Sequence, residues 1–224
     1  MSFTINYHKI SILSNTAGVN DFFRGAHTIM VETKRPVWYN FFGKSDLYNG
    51  EKTMLTLITG GSGSGKSEYA ENTAVGLQKK TGAEKLYYLA AMKPFGEEAE
   101  KRIEKHRVQR AGKGFETVEN YYASMPCISK NSVVLLECLS NLTANEYFGR
   151  DNKNAEDDIF GFIKLLSENC ASLVVVTNDI FSDGMSYDKS VTEYMAVLGN
   201  INRRIAEIAD GLFEVVCGIP VKLK

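Results

Sequence analysis

The stretch Thr59–Asn72, TGGSGSGKSEYAEN, decides the fold. Within it, Gly60 to Ser67 reads G-G-S-G-S-G-K-S and matches G-x-x-x-x-G-K-[ST]. The flanks supply the context that this pattern needs. MLTLITG, from Met54, is a continuous apolar run of the kind found in a buried parallel strand. KSEYAENTAVGLQKKTG is a helix that closes on basic residues and Gly82. Strand, glycine-rich loop and helix in this order make a phosphate-binding loop. Its glycines let backbone N–H groups turn toward phosphate oxygens, and the helix N-terminus adds positive potential. Gly60, Gly61, Ser62, Gly63, Ser64 and Gly65 are the expected cradle. Lys66 reaches the β- and γ-phosphates, and Ser67 holds Mg²⁺.

Working outward, strands and helices alternate from Met54 to the end. KLYYLAAM is a strand, and GEEAEKRIEKHRVQRAGKG a charged helix closed by glycine. SVVLLECL is a buried strand, SNLTANEYF a short helix, DDIFGFIKLLSENC an amphipathic helix and SLVVVTND a strand. In SVTEYMAVLGNINRRIAEIAD, Val191, Tyr194, Leu198, Ile201, Ile205 and Ile208 recur at three- and four-residue steps and form one face. GLFEVVCGIPVKLK reads as a closing strand. The fold class is therefore α/β: a phosphate-loop NTPase (RecA-like) with a mostly parallel sheet and helices on both faces. Residues 54–224 form the nucleotide-binding domain. Residues 1–53 mix aromatics, charges and turn residues without sustained periodicity, and read as an N-terminal extension or a small strand-rich flap.

Composition excludes several classes. The chain has 224 residues and a formal net charge of −1, so nothing global points to nucleic acid or a membrane surface. No run approaches the ~18 apolar residues of a membrane-spanning helix. The start, MSFTINYHKISILSN, has no basic region followed by a long apolar core. The four cysteines, Cys127, Cys138, Cys170 and Cys217, are widely spaced and read as reduced core thiols of a cytoplasmic protein.

Two further features carry chemistry. Ligands of such sheets bind beyond the carboxyl ends of the strands, where Glu137 ends VVLLEC and Asp179 ends VVVTND. Either carboxylate could meet the metal with Ser67. Glu137 is favoured, because its strand carries the acid nearest the apolar run, and Asn178 is a further polar group on that rim. His8 and His27 lie in the extension, so His106 is the histidine of the core domain. Arg102, His106 and Arg110 are spaced by four and share a helix face. Cations there would attract a triphosphate and stabilise charge at its α-phosphorus, and an imidazole lone pair among them could attack it. From spacing alone, a solvated charged helix with an incidental histidine is the commoner outcome.

The segments LITGGSGSGKSEYAE, YYLAAM, EEAEKRIEKHRVQR, VVLLECLSNL, VVVTNDIFSDG and GNINRRIAEIADGLFEVVCGIPVKLK follow one another in a known order. In that order the core resembles the bifunctional adenosylcobinamide kinase / adenosylcobinamide-phosphate guanylyltransferase family of cobalamin biosynthesis. The histidine segment, with LLEC, VTND and GIPVKLK, is far more specific than the phosphate loop. The resemblance implies that His106 is the guanylylated histidine, that Gly60–Ser67 bind ATP or GTP with Mg²⁺, and that Glu137 is the acid of the metal strand. It implies as substrates adenosylcobinamide and adenosylcobinamide phosphate, and as assembly a homo-oligomer, a trimer. The chain departs from the family's pattern at Gly63, Ala91 and Asp179, and in IFSDGMSYDKS. Two rival classes remain at this point. One is a simple phosphate-loop small-molecule kinase without guanylyl transfer. The other is a nucleotide-gated regulator or motor subunit, against which the balanced charge weighs.

Overall fold

A computed structural model describes residues 26–31, 37–42, 53–182 and 184–224. The chain divides into two units, Met1–Glu51 and Lys52–Lys224. In the first, strands β1 (Ala26–Val31) and β2 (Val37–Phe42) pair antiparallel, with Ala26 opposite Phe42 and Val31 opposite Val37. Apart from Thr53, the rest of the N-terminal extension lies outside the described residues.

The second unit is built on a seven-stranded sheet. Its strands are β3 (Met54–Thr59), β4 (Lys85–Ala90), β5 (Glu116–Glu119), β6 (Ser132–Glu137), β7 (Ser172–Val176), β8 (Gly211–Val216) and β9 (Ile219–Lys222). They lie in the order β5-β4-β6-β7-β3-β8-β9, parallel throughout except for the β8–β9 pair. β7 therefore separates the strand that feeds the phosphate loop from the strand that ends in Glu137. Ala90 pairs with Glu137, and Glu137 with Val176, so three carboxyl ends finish level. The site is built along that edge.

The pleat sends alternate residues to opposite faces. Leu55, Leu57, Leu89, Leu136 and Val175 pack with α3 (Leu139–Ala144), α4 (Ala155–Glu168) and α5 (Lys189–Ile208). Ile58, Leu86, Leu135, Val174 and Val176 pack on the other face with Ala70, Ala74 and Leu77 of α1 (Lys66–Thr81). Each fully buried aliphatic side chain contributes about 1.5–3 kcal/mol relative to exposure, which is why the apolar strands sit at the centre. Of the helical face anticipated in α5, Leu198, Ile201 and Ile205 are fully buried, and the Asp188 carboxylate caps its start by accepting from the Val191 N–H at 2.9 Å. Ile208 is exposed, because the helix ends there as the chain turns into β8.

Two sequence expectations need correction, and one strand was not anticipated. The closing strand is a hairpin: Cys217 and Gly218 both adopt positive φ, 51° and 79°, and reverse the chain between β8 and β9. The short strand β5, ETVE, is too polar to announce itself by apolar periodicity. Of the cysteines taken as core thiols, Cys138 and Cys170 are buried, but Cys127 and Cys217 are exposed. Among the described residues no helix is long and apolar enough to cross a membrane.

Candidate active site

The loop between β3 and α1 is fixed by its surroundings. A Cβ at Gly60 would meet the Val215 carbonyl at 2.6 Å, and Gly65 caps α1 with φ 90°, against the Cα of Gly218. Only glycine fits these two places without strain. The loop carbonyls are tied to the scaffold: the Asp179 N–H donates to Gly60 at 3.0 Å, and the Gly218 N–H to Ser64 at 2.8 Å. The Lys66 ammonium donates to the Gly61 carbonyl at 2.9 Å. Burial pushes its pKa below the usual lysine value, opposed by Cys138 and Glu137.

Glu137, at the end of β6, is the centre of the constellation. Its side chain is buried, and Oε1 accepts a hydrogen bond of 2.5 Å from the Ser67 hydroxyl. The same oxygen lies 3.7 Å from His106 Nδ1. Glu137 Oε2 and His106 Nδ1 are both buried without a hydrogen-bond partner. His106 stands on α2 (Glu97–Arg110), the charged helix of the sequence reading. Cys138, next in the chain, is a buried thiol raised in pKa chiefly by that burial, and it accepts from Asn141 Nδ2.

A cavity of about 840 Å³ opens over these groups, lined by Ser62 to Ser67, Tyr88, Arg102, His106, Arg110, Glu137 and Asn178. The structure thus brings together most of the residues singled out from sequence. Gly60 and Gly61 lie outside that lining; Gly61 faces a second cavity with Asp179. The arginines are placed differently from one another. Arg102 is exposed and ion-paired with Glu98 at 3.0 Å. Arg110 is buried, stacks 4.0 Å over the Tyr88 ring and donates to Thr117 Oγ1. Carboxylates, and not only arginines, therefore face His106. Asp179 accepts from the Phe181 N–H and the Ser182 hydroxyl, so it caps its own loop, while Glu137 is the acid that meets Ser67.

Sequence reasoning missed Glu71, Tyr88, Gln109 and Lys113. Tyr88 is held above the usual tyrosine pKa by burial first and by Glu137 second. Glu71 is fully buried, and its carboxylate lies with His106 and Glu137 in a group whose ligand atoms are all within 4.8 Å of one another. Its one sequence signal is position: one helical turn after Ser67, on the same face of α1.

Comparison with known proteins gives the family. The family model "Cobinamide kinase / cobinamide phosphate guanyltransferase" matches residues 56–223. The chain is 30% identical over 188 residues to the bifunctional adenosylcobalamin biosynthesis protein CobU of Escherichia coli (strain K12), covering 76% of this chain and 100% of that protein. It is 28% identical over the same span to the protein of that name from Salmonella typhimurium (strain LT2), with the same coverage. Among solved structures, the flagellar accessory protein FlaH from Methanocaldococcus jannaschii aligns with a TM-score of 0.38 at 14% identity, over 72% of this chain and 70% of that one.

Proposed function

The chain belongs to the cobinamide kinase / cobinamide phosphate guanyltransferase family, and from that premise we propose that it carries out both steps of the family's name. It phosphorylates adenosylcobinamide with a nucleoside triphosphate, ATP or GTP. It then transfers GMP from GTP to adenosylcobinamide phosphate through a guanylyl-histidine on His106, giving adenosylcobinamide-GDP. The observation that carries this reading is the convergence of the phosphate loop, the Ser67–Glu137 pair and His106 on one cavity.

In the kinase step the loop amides and Lys66 hold the triphosphate while the acceptor hydroxyl attacks the γ-phosphorus. The β–γ bridging oxygen leaves with its electron pair on the nucleoside diphosphate, and the proton of the acceptor hydroxyl passes to solvent. In the transfer step the His106 lone pair forms a bond to the α-phosphorus of GTP. The bond to the bridging oxygen breaks and pyrophosphate leaves. Because Nδ1 faces Glu137, Nε2 is the nitrogen offered for attack, and the carboxylate steadies the ring as it gains positive charge. A phosphate oxygen of adenosylcobinamide phosphate then attacks the same phosphorus, and the electron pair returns to the imidazole. Arg110 and Arg102, lining the cavity, balance charge on the phosphates.

Ser67 and Glu137 fit Mg²⁺: a hydroxyl and a carboxylate converge, and Glu137 Oε2 is buried without a partner. Bound there, Mg²⁺ would neutralise charge on the triphosphate oxygens. The catalytic domain on this reading is residues 54–224, working in the cytoplasm. Val216, Ile219, Val221 and Leu223 are exposed along the β8–β9 edge, a surface that a homo-oligomer, a trimer on the family resemblance, would cover.

Product analysis tests the whole reading. With adenosylcobinamide as acceptor, label from the γ-phosphate of ATP or GTP should appear in adenosylcobinamide phosphate. Label from the α-phosphate of GTP should appear in adenosylcobinamide-GDP. Label from γ alone would reduce the protein to a simple kinase, and label from neither would overturn the reading.

A further inference from the structure

The helix that carries His106 has almost no apolar anchor. Arg110 is the sole buried residue of α2, and Val108 is 67% exposed. Yet His106 must stay within reach of a phosphorus atom bound over α1. What holds the two helices together is polar. Glu71 on α1 is fully buried, and both its oxygens are engaged from the α2 side: Oε1 accepts from Gln109 Nε2 at 3.1 Å, and Oε2 from the Lys113 ammonium at 2.7 Å. A buried carboxylate is costly unless it is paired and hydrogen-bonded, so this arrangement fixes the position of both partners.

The spacing gives the clasp its direction. Glu71 follows Ser67 by four residues, and Gln109 follows His106 by three, so one face of α1 meets one face of α2. Lys113 is held in the turn beyond α2, its N–H donating to the Arg110 carbonyl at 3.1 Å. The clasp therefore lies one turn away from the place where Ser67 and His106 meet Glu137. The same three groups, Glu71, His106 and Glu137, could be taken as metal ligands. With both Glu71 oxygens already occupied by donors from the α2 side, the clasp is the better account.

Resting on the guanylyl-transfer reading above, we propose that Glu71 is a positioning residue: with Lys113 and Gln109 it sets His106 against the α-phosphorus. Nucleophilic attack is steep in distance and angle, and a displacement of about 1 Å can cost roughly a hundredfold. The γ-phosphate transfer needs the loop, the metal and an acceptor, so it depends far less on where α2 stands.

The test is single-turnover labelling of the full chain with α-labelled GTP at saturating concentration, alongside steady phosphorylation of adenosylcobinamide. Glu71→Gln should slow labelling about tenfold or more, while GTP affinity and phosphorylation change by less than about threefold. Should Glu71→Gln fold poorly, Lys113→Met breaks the clasp from its half-buried side and should show the same split. In the Glu71→Gln/Lys113→Met double variant labelling should be no slower than in the slower single variant, because both substitutions remove one interaction. Wild-type labelling rates in both single variants would overturn this inference alone. So would equal losses of labelling and phosphorylation, which would make Glu71 a support of the fold. Absence of label on the wild-type protein would overturn the carrier reading, and this inference with it.

Discussion

Helix α1 buries Lys66, Ala70, Glu71, Ala74 and Leu77, whereas α2, two residues shorter, buries only Arg110. α1 is part of the core: its apolar side packs on β6 and β7 and carries the phosphate loop on its first turn. α2 is a charged helix fastened by polar contacts, Glu71 to Gln109 and Lys113, and Arg110 to Tyr88 and Thr117. On the reading proposed above, the difference matches the two chemistries. Holding a triphosphate calls for a rigid cradle of backbone amides, and that rigidity comes from hydrophobic burial. A side chain that takes up a nucleotidyl group and then hands it on needs placement by contacts that hydrogen bonding can fix in direction.

If α1 serves both reactions, Lys66→Ala should lower phosphorylation and guanylyl transfer together, each by roughly a hundredfold or more. Near-normal rates in either reaction would separate the two sites. A smaller effect is expected from Glu137→Gln, which keeps shape but removes the charge facing Ser67 and His106. Both activities should fall about ten- to a hundredfold, whereas Asp179→Asn should stay within about threefold of wild type. Rates of the two variants in parallel decide between the two acids.

Thermal unfolding sharpens the contrast in packing. Leu77→Ala on α1 removes a buried side chain and should cost about 2–5 kcal/mol. Val108→Ala on α2, at an exposed position, should stay within about 0.5 kcal/mol. Similar melting temperatures for the two variants would mean that α2 is packed like α1. A small effect is also expected from truncation. A chain beginning at Met54 should fold and keep both activities; among the described residues it loses the hydrogen bond from Thr53 Oγ1 to the Cys170 carbonyl. That is about 0.5–1.5 kcal/mol, a few degrees in melting temperature. Insoluble or inactive protein would show that residues 1–53 complete the catalytic domain.

What could be read from sequence was local. The apolar runs of β3, β6 and β7, the loop between Gly60 and Ser67 and the Leu198–Ile205 part of the α5 face are periodic or contiguous patterns, and the structure reproduces them. What could not be read depended on distant partners or on single residues. Glu71 looks like any helical glutamate until Gln109 and Lys113, 38 and 42 residues on, come to lie against it. The turn at Cys217–Gly218 hides in an apolar run, so β8 and β9 merged into one strand. Spacing put Arg102 and Arg110 on one face with His106, but not the ion pair that holds Arg102 to Glu98 or the ring under Arg110.

The central claim is that His106 carries GMP, and covalent labelling tests it most directly. A phosphorus–nitrogen bond to imidazole survives base and is labile to acid, unlike a phosphate ester of serine. Wild-type protein incubated with α-labelled GTP should keep label through denaturation and lose it in brief acid, and γ-labelled GTP should leave none. His106→Ala and His106→Asn should take up no label yet still phosphorylate adenosylcobinamide, because the asparagine keeps bulk without the nucleophilic lone pair. Label on the alanine variant, or a wild-type enzyme that phosphorylates its acceptor and never labels, would contradict the account.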